Sequence, residues 1–182
     1  MATNGVKAQV GKELQDFLIG LCRTHGIRAV AEELSTEALA QCGHAASIPM
    51  QAAKLEKVEH RFCDPDSAER VRLSICLDEL LMRAQGQLDG LSEIDIASRI
   101  VSEHAKRERY WFAKIQALDQ WPILFICGAN HVGNFRALLE REGFTVTVAA
   151  EDWASNSTPH RTRLKHRALA HNRSRALGRR GR

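Results

Sequence analysis

His131 closes the turn Gly128-Ala129-Asn130-His131, which follows an unbroken apolar run from Ile123 to Cys127. It is the only titratable side chain in that turn, and an imidazole so placed can act as a general base or bind a metal through one ring nitrogen. Two further stretches carry chemistry. Glu32 and Glu33 follow the apolar segment Ile27–Ala31, and carboxylates there can serve as general base or metal ligand. His104 and Glu108 interrupt an apolar helical stripe with Arg107 beside them, and a guanidinium in such a place can hold an anionic group or a developing oxyanion. His131, Glu32, Glu33 and Arg107 are therefore the catalytic candidates, with His131 and Glu32 as candidate metal ligands. Gly128, Ala129, Asn130, Glu108 and His60 are candidates for ligand contact; His60 alone reads as a hydrogen-bonded structural histidine.

These residues need elements to position them. Five apolar residues in a row predict a short strand buried on both faces, as in the middle of a parallel sheet. Gly128 ends that strand, and Phe135, Leu138 and Leu139 switch to helical spacing, so 131–142 is expected to be a helix with Gly143 as its C-cap. A strand–Gly–helix switch places Gly128 to His131 at the carboxyl edge of a sheet, where α/β folds bind ligands. Backbone N–H groups at that helix start suit an anion.

Upstream, Val10, Leu14, Phe17, Leu18, Leu21 and Cys22 predict an amphipathic helix, followed by a strand at Ile27–Ala31. Ser35 is the expected N-cap of a helix over 36–41. Residues 50–55 read as one or two helical turns and 57–62 as a short strand. Asp64-Pro65-Asp66 opens a helix with Val71, Ile75, Leu77, Leu80 and Leu81 on its apolar side, broken at Gly86 and Gly90. Ser92 and Asp95 resemble a capping box for a long helix through Leu118. Its stripe of Ala97, Ile100, Val101, His104, Glu108, Trp111, Ile115 and Leu118 shares one face. The final strand is expected over 144–149. Alternating helices and strands without hairpin signals predict a layered α/β fold with a mainly parallel or mixed sheet. Strand alternation sends Glu32 and Glu33 to opposite faces.

With 182 residues and 44% hydrophobic content, one domain is expected over 10–153, preceded by a flexible arm, 1–9. No apolar run approaches the roughly 20 residues that span a bilayer, so no membrane contact is expected. The five cysteines are odd in number, without a C-x-x-C pair, and several lie in apolar runs; they read as reduced buried thiols of a cytoplasmic chain. The net charge of +4 hides two regions. Residues 160–182 hold nine Lys/Arg and no acid, leaving 17 Lys/Arg against 22 Asp/Glu in 1–159. Such a tail can contact nucleic acid by counterion release, but it has no aromatic residue to stack a base. A disordered, solvated basic tail over 154–182 is the favoured expectation.

Gly128-Ala129-Asn130-His131 after a buried strand resembles the second G-x-x-H motif of the TraB/Tiki, ChaN-like and erythromycin-esterase-like superfamily. Arg107-Glu108-Arg109-Tyr110-Trp111 is similar to that group's Arg-containing helix, and Glu32 or Glu33 to its strand-end glutamate. The resemblance spans roughly residues 10–150. It implies a pocket at the sheet edge, and the group includes metal-dependent peptidases, esterases that open a macrolide ring, and haem-binding proteins. The group's first G-x-x-H has no counterpart: no histidine precedes His25. Either the chain is a truncated piece or it has lost half of the histidine pair.

Two readings follow. One is a hydrolase-like enzyme, metal-dependent in one form, in which glutamate and His131 ligate a divalent metal or activate water while Arg107 holds the anion; its substrate would be a small molecule or peptide. The other is a non-catalytic relative that binds a small ligand or a partner. A nucleotide-binding Rossmann-like domain is the weakest reading, since Cys127-Gly128-Ala129-Asn130-His131-Val132-Gly133 lacks the G-x-G-x-x-G spacing.

Overall fold

The computed structural model describes the backbone of residues 3–75, 79–153 and 166–172, and the side chains of 8–75, 79–151 and 153. Its elements are α1 (Thr3–His25), β1 (Ala29–Glu32), α2 (Thr36–Gln41), α3 (Ile48–Glu56), β2 (Glu59–Phe62), α4 (Ser67–Leu73), α5 (Glu79–Leu88), α6 (Glu93–Gln116), β3 (Ile123–Gly128), α7 (Ala129–Arg141), β4 (Thr145–Trp153) and β5 (His166–Asn172). The strands form one sheet in the order β2-β1-β3-β5-β4. The β1 strand runs parallel to both β2 and β3, with Val30 opposite His60 on one side and Leu124 on the other. The β5 strand is antiparallel to both β3 and β4. The layered α/β fold holds, with a mixed sheet.

The β3 strand is buried from Ile123 to Cys127 because both faces are covered. Leu124 and Ile126 pack with Val30, Leu18, Cys22, Ala52 and Ala53 beneath α1 and α3. Ile123, Phe125 and Cys127 face the other way, onto Trp111 and Ile115 of α6 and Phe135 and Leu139 of α7. Of the described cysteines, Cys22, Cys63 and Cys127 are buried and Cys42 is exposed. Burial pushes the Cys22 thiol up to about 11 and the Cys63 thiol up to about 12. Among the described residues no helix is long and apolar enough to cross a membrane.

Several expectations need correction. The arm expected over 1–9 is helical from Thr3, as residues 3–9 extend the α1 backbone without a break. The helix expected from Pro65 to Gly86 is two helices, α4 and α5. Asp66 is the α4 N-cap, accepting the Glu69 N–H at 2.8 Å, and Val71, Leu80 and Leu81 are exposed. Gly86 does not break α5 but lies inside it, where a Cβ would stand 2.6 Å from Cγ1 of Ile96. The break comes at Gly90, whose φ of 71° suits glycine. On α6, Ala97 and Val101 are exposed, and Ile96 is the buried neighbour of Ile100.

The largest correction concerns the tail over 154–182. Residues 166–172 form β5, inserted between β3 and β4 in the sheet. The apolar centre Ala168-Leu169-Ala170 pairs with Leu124–Ile126 of β3, and the flanking His, Arg and Asn residues hid this short strand in a basic context. Residues 154–165 and 173–182, the rest of that expected tail, lie outside the described residues.

Two stability measurements follow. Leu124→Ala is expected to cost roughly 2–5 kcal/mol in urea denaturation, the range for a fully buried large-to-small change. Ending the chain after Trp153 removes a strand bonded along both edges. The melting midpoint is then expected to fall by on the order of 10 °C or more, since each kcal/mol is worth roughly 2–4 °C at this size. An unchanged midpoint would show that β5 adds nothing to the fold.

Candidate functional site

Three parallel strands end side by side, and each delivers a functional group. β1 runs into Glu33, β2 into Asp64, and β3 into Gly128 at the start of α7. Backbone bonds hold these exits in register: the Glu33 N–H donates to the Ile126 carbonyl at 2.8 Å and the Asp64 N–H to the Leu34 carbonyl at 3.1 Å.

Glu32 and Glu33 diverge to opposite faces, as alternation requires. Glu33 turns towards α6 and α7. Its Oε2 accepts the Gly128 N–H at 2.6 Å, so a carboxylate from β1 sits at the N-terminus of α7, where Gly128 itself offers no side-chain cap. The anion-binding helix start expected from the sequence is thus filled by the chain's own Glu33. Gly128 has an ordinary extended backbone (φ −63°, ψ 151°), so its lack of a side chain matters through space: a Cβ there would stand 3.3 Å from Oε2 of Glu33. Ala129 is half-buried and Asn130 is exposed.

The other Glu33 oxygen, Oε1, accepts from Nη2 of Arg107 at 2.8 Å and lies 3.6 Å from Nε2 of His131. The His131 Nδ1 is 2.9 Å from Oε1 of Glu108. The imidazole therefore lies between two carboxylates, only 5% exposed, with Glu108 at 3%. The Trp111 ring packs T-shaped against it, 4.8 Å between centroids, and the His104 ring lies 4.4 Å away, tilted by 54°. Arg107 lies over Trp111, its Cζ 5.2 Å from the ring centroid.

Asp64 is the member that sequence reading missed, because Asp64-Pro65-Asp66 reads as a helix start. Since Asp66 supplies the N-cap, Asp64 is left to accept from Nε and Nη2 of Arg107 at 3.1 and 2.8 Å and from the Trp111 indole N–H at 3.0 Å. Its second oxygen accepts from the buried Arg70, whose Nε donates to the Pro65 carbonyl at 3.0 Å. His104 was visible in the α6 stripe but not as part of a site; its place beside His131 depends on how α6 crosses α7. Burial lowers the His104 pKa below its ordinary 6.5, helped by the neighbouring His131 and Arg107 and opposed by Glu108 and Glu79.

Glu32 and His60 form a separate centre on the α3 side. Oε1 of Glu32 faces Nε2 of His60 at 2.8 Å and accepts the Ser47 hydroxyl, while Ser47 caps α3. The expected metal pair of His131 and Glu32 is therefore not brought together: each is bound to different partners. Among the described residues no group of three or more His, Cys, Asp or Glu side chains is arranged to hold a metal ion.

The chain was compared with protein-family models, curated proteins and solved structures, and nothing matched in any of the three.

His131→Ala would leave the Glu108 carboxylate buried without its imidazole, and is expected to cost about 1–3 kcal/mol or more in denaturant unfolding. That exceeds the cost expected for a partly exposed histidine. His104 predicts a pH effect. Its folded-state pKa lies below the unfolded value of about 6.5, so it contributes nothing to pH dependence well above 6.5. As pH falls below 6.5 the unfolded chain takes up the proton first, and stability drops. An NMR titration should place the His104 midpoint below 6.5, and His104→Asn should reduce the loss of stability in acid.

Proposed function

We propose that the chain is a hydrolase-like enzyme whose acid–base centre is His131, with Glu33 and Arg107 as its partners at the carboxyl edge of the sheet. The observation that carries this reading is the placement of the imidazole, bound at Nδ1 by Glu108 and with Nε2 3.6 Å from Oε1 of Glu33, the oxygen that Arg107 also bonds. A carboxylate on Nδ1 fixes the tautomer and orientation of a catalytic histidine. Nε2 and the Glu33 Oε1, 3.6 Å apart, can both bond to one water molecule beside them.

In that arrangement Nε2 takes a proton from the water while its oxygen attacks a carbonyl carbon of the substrate, and the proton is then returned to the leaving group. Arg107 has Nε and Nη2 engaged by Asp64 and Glu33, and its Nη1 makes no hydrogen bond among the described residues. That nitrogen is the group suited to a developing oxyanion. Glu32, bound to His60 and Ser47, takes no part in this step. The resemblance to the TraB/Tiki, ChaN-like and erythromycin-esterase-like group supports the same three residues, through Glu33 rather than Glu32. The divalent metal that the resemblance allows finds no donor set among the described residues, since the Glu33 and Glu108 carboxylates flanking His131 are held by an N–H, a guanidinium and the imidazole itself.

A second reading, a non-catalytic relative binding a small ligand, is favoured by one observation: His131 is 95% covered by the chain's own groups. The two separate on turnover. Assayed on a panel of carboxylic esters, lactones and peptides, with and without added divalent metal, the chain is expected to hydrolyse at least one substrate. His131→Asn, which keeps a hydrogen-bonding group for Glu108 but removes Nε2, should lower kcat/KM by about 10²–10⁴-fold while the protein stays folded. Glu33→Gln should fall in the same range. Thermal stabilisation by a ligand without any turnover would favour the binding protein, and activity that survives His131→Asn would remove His131 from the chemistry.

A further inference from the structure

Arg107 is a long, flexible side chain, and a donor stabilises developing charge best when it is already in place before the reaction. Asp64, Glu33 and Trp111 hold it. Its Nε and Nη2 donate to one oxygen of Asp64 at 3.1 and 2.8 Å, its Nη2 also donates to Oε1 of Glu33 at 2.8 Å, and its Cζ lies 5.2 Å from the centroid of the Trp111 ring. Asp64 is the group that takes the fork formed by Nε and Nη2, while Glu33 meets only one of those nitrogens.

Asp64 is itself fixed more firmly than an acid at a helix start needs to be. It stands before Pro65, which restricts its backbone to extended conformations. Its N–H donates to the Leu34 carbonyl at 3.1 Å, so the exit of β2 is tied to the exit of β1 one residue past Glu33. Asp66 takes the cap of α4, which leaves the Asp64 carboxylate no duty to its own helix. The oxygen that faces Arg107 also accepts the Trp111 indole N–H at 3.0 Å; the other accepts from Nη2 of Arg70, whose Nε is anchored on the Pro65 carbonyl at 3.0 Å. Arg70 is 7% exposed, and its Nη1 is buried with no hydrogen-bond partner among the described residues. A buried guanidinium with an unbonded nitrogen is a poor source of stability. It is accounted for as the brace that keeps Asp64 from turning.

We propose that Asp64, braced by Arg70, is the positioning residue of the site: it takes the fork of Arg107 and so leaves Nη1 as the nitrogen offered to a developing oxyanion. This role rests on the hydrolytic step proposed for His131 and adds to it the group that sets the direction of the oxyanion donor. Without the Asp64 charge, the carboxylate left for the fork is Glu33. Arg107 then turns both nitrogens onto Glu33 and draws away Oε1, the oxygen 3.6 Å from Nε2 of His131, while Nη1 loses its direction. Because Nη1 meets the substrate most strongly as charge develops, the loss falls on kcat rather than on KM.

NMR of the full chain carrying isotope-labelled arginine reads this arrangement without any turnover. With its fork anchored, Arg107 should show separate Nη1 and Nη2 resonances, because rotation of the held guanidinium is slow. In Asp64→Asn they should merge while the circular dichroism is retained. Glu69→Gln removes a different contact between α4 and α6, the one with Tyr110, and should leave them separate. On a substrate of the hydrolysis panel, Arg107→Ala should lower kcat by about 10²–10³-fold, and Asp64→Asn should lower it in the same direction with KM within about two-fold. The double variant should fall no further than Arg107→Ala, since Asp64 acts through Arg107. Added guanidinium ion should restore part of the kcat of Arg107→Ala and none of that of the double variant. Merged resonances in the parent, separate resonances in Asp64→Asn, or additive losses in the double variant would each overturn the proposal. Turnover that His131→Asn abolishes and Asp64→Asn leaves intact would overturn it alone, whereas no turnover by the parent chain would overturn the hydrolase reading and this role together.

Discussion

A carboxylate largely withdrawn from water at the exit of β1 must be neutralised there, and the way Glu33 is neutralised determines how the helices sit on the sheet. One oxygen takes the Gly128 N–H and thereby fixes where α7 starts; the other takes Arg107 and thereby fixes how far along α6 the sheet edge lies. With both helices located, His131 in the first turn of α7 and Glu108 on α6, one residue beyond Arg107, must meet. The glycine at 128 belongs to the same constraint, because any side chain there would crowd the oxygen that its N–H bonds. Three elements distant in the chain are thus joined through one side chain of intermediate burial.

Such a cluster is a poor way to gain stability. Glu33 and Asp64 face Arg107, Asp64 also faces Arg70, and Glu108 faces His131, all largely withdrawn from water, and apolar residues of similar volume would often do as well. Charge gathered at the carboxyl edge of parallel strands therefore adds little to holding the fold, which agrees with the role proposed for His131. The Glu32–His60–Ser47 group contrasts with it, consisting of a single carboxylate satisfied by a hydroxyl that also caps α3 and by an imidazole of the adjacent strand.

Much of this was legible in the chain because it depended on local rules. The run Ile123–Cys127 gave a doubly covered strand; Ser35 and Ser92 gave helix starts where expected; and period-two alternation was enough to separate Glu32 from Glu33. Glu108 stood out because a charged group on an apolar stripe needs a partner, Arg107 because it lies beside that stripe, and His131 because it is the only titratable side chain in its turn. What stayed hidden depended on pairings between distant segments. Asp64 looked like a cap because the Asp-Pro-Asp pattern offers two acids for one role, and only the fold shows which is spare. Gly86 looked like a breaker because close helix contact leaves no mark in the helix's own sequence. Ala97 and Val101 looked buried because periodicity records which face is apolar and not how far the body beneath it extends.

The same argument explains the strand that sequence reading assigned to a disordered tail. A strand with five apolar residues in a row needs covered faces and also a partner along each edge, since an exposed, flat, apolar edge invites pairing with other chains. β1 satisfies one edge of β3 by parallel pairing. The other edge needs a strand whose centre is small and uncharged enough to lie in the sheet, and Ala168-Leu169-Ala170 meets that need, opposite Ile126, Phe125 and Leu124. The register then sets His166 opposite Gly128, so β5 enters the sheet at the edge where Glu33, Arg107 and His131 meet and leaves it at the far end, opposite Ile123. β3 can be this apolar because a segment whose composition is basic supplies, in its three uncharged central residues, the second edge partner that the strand requires.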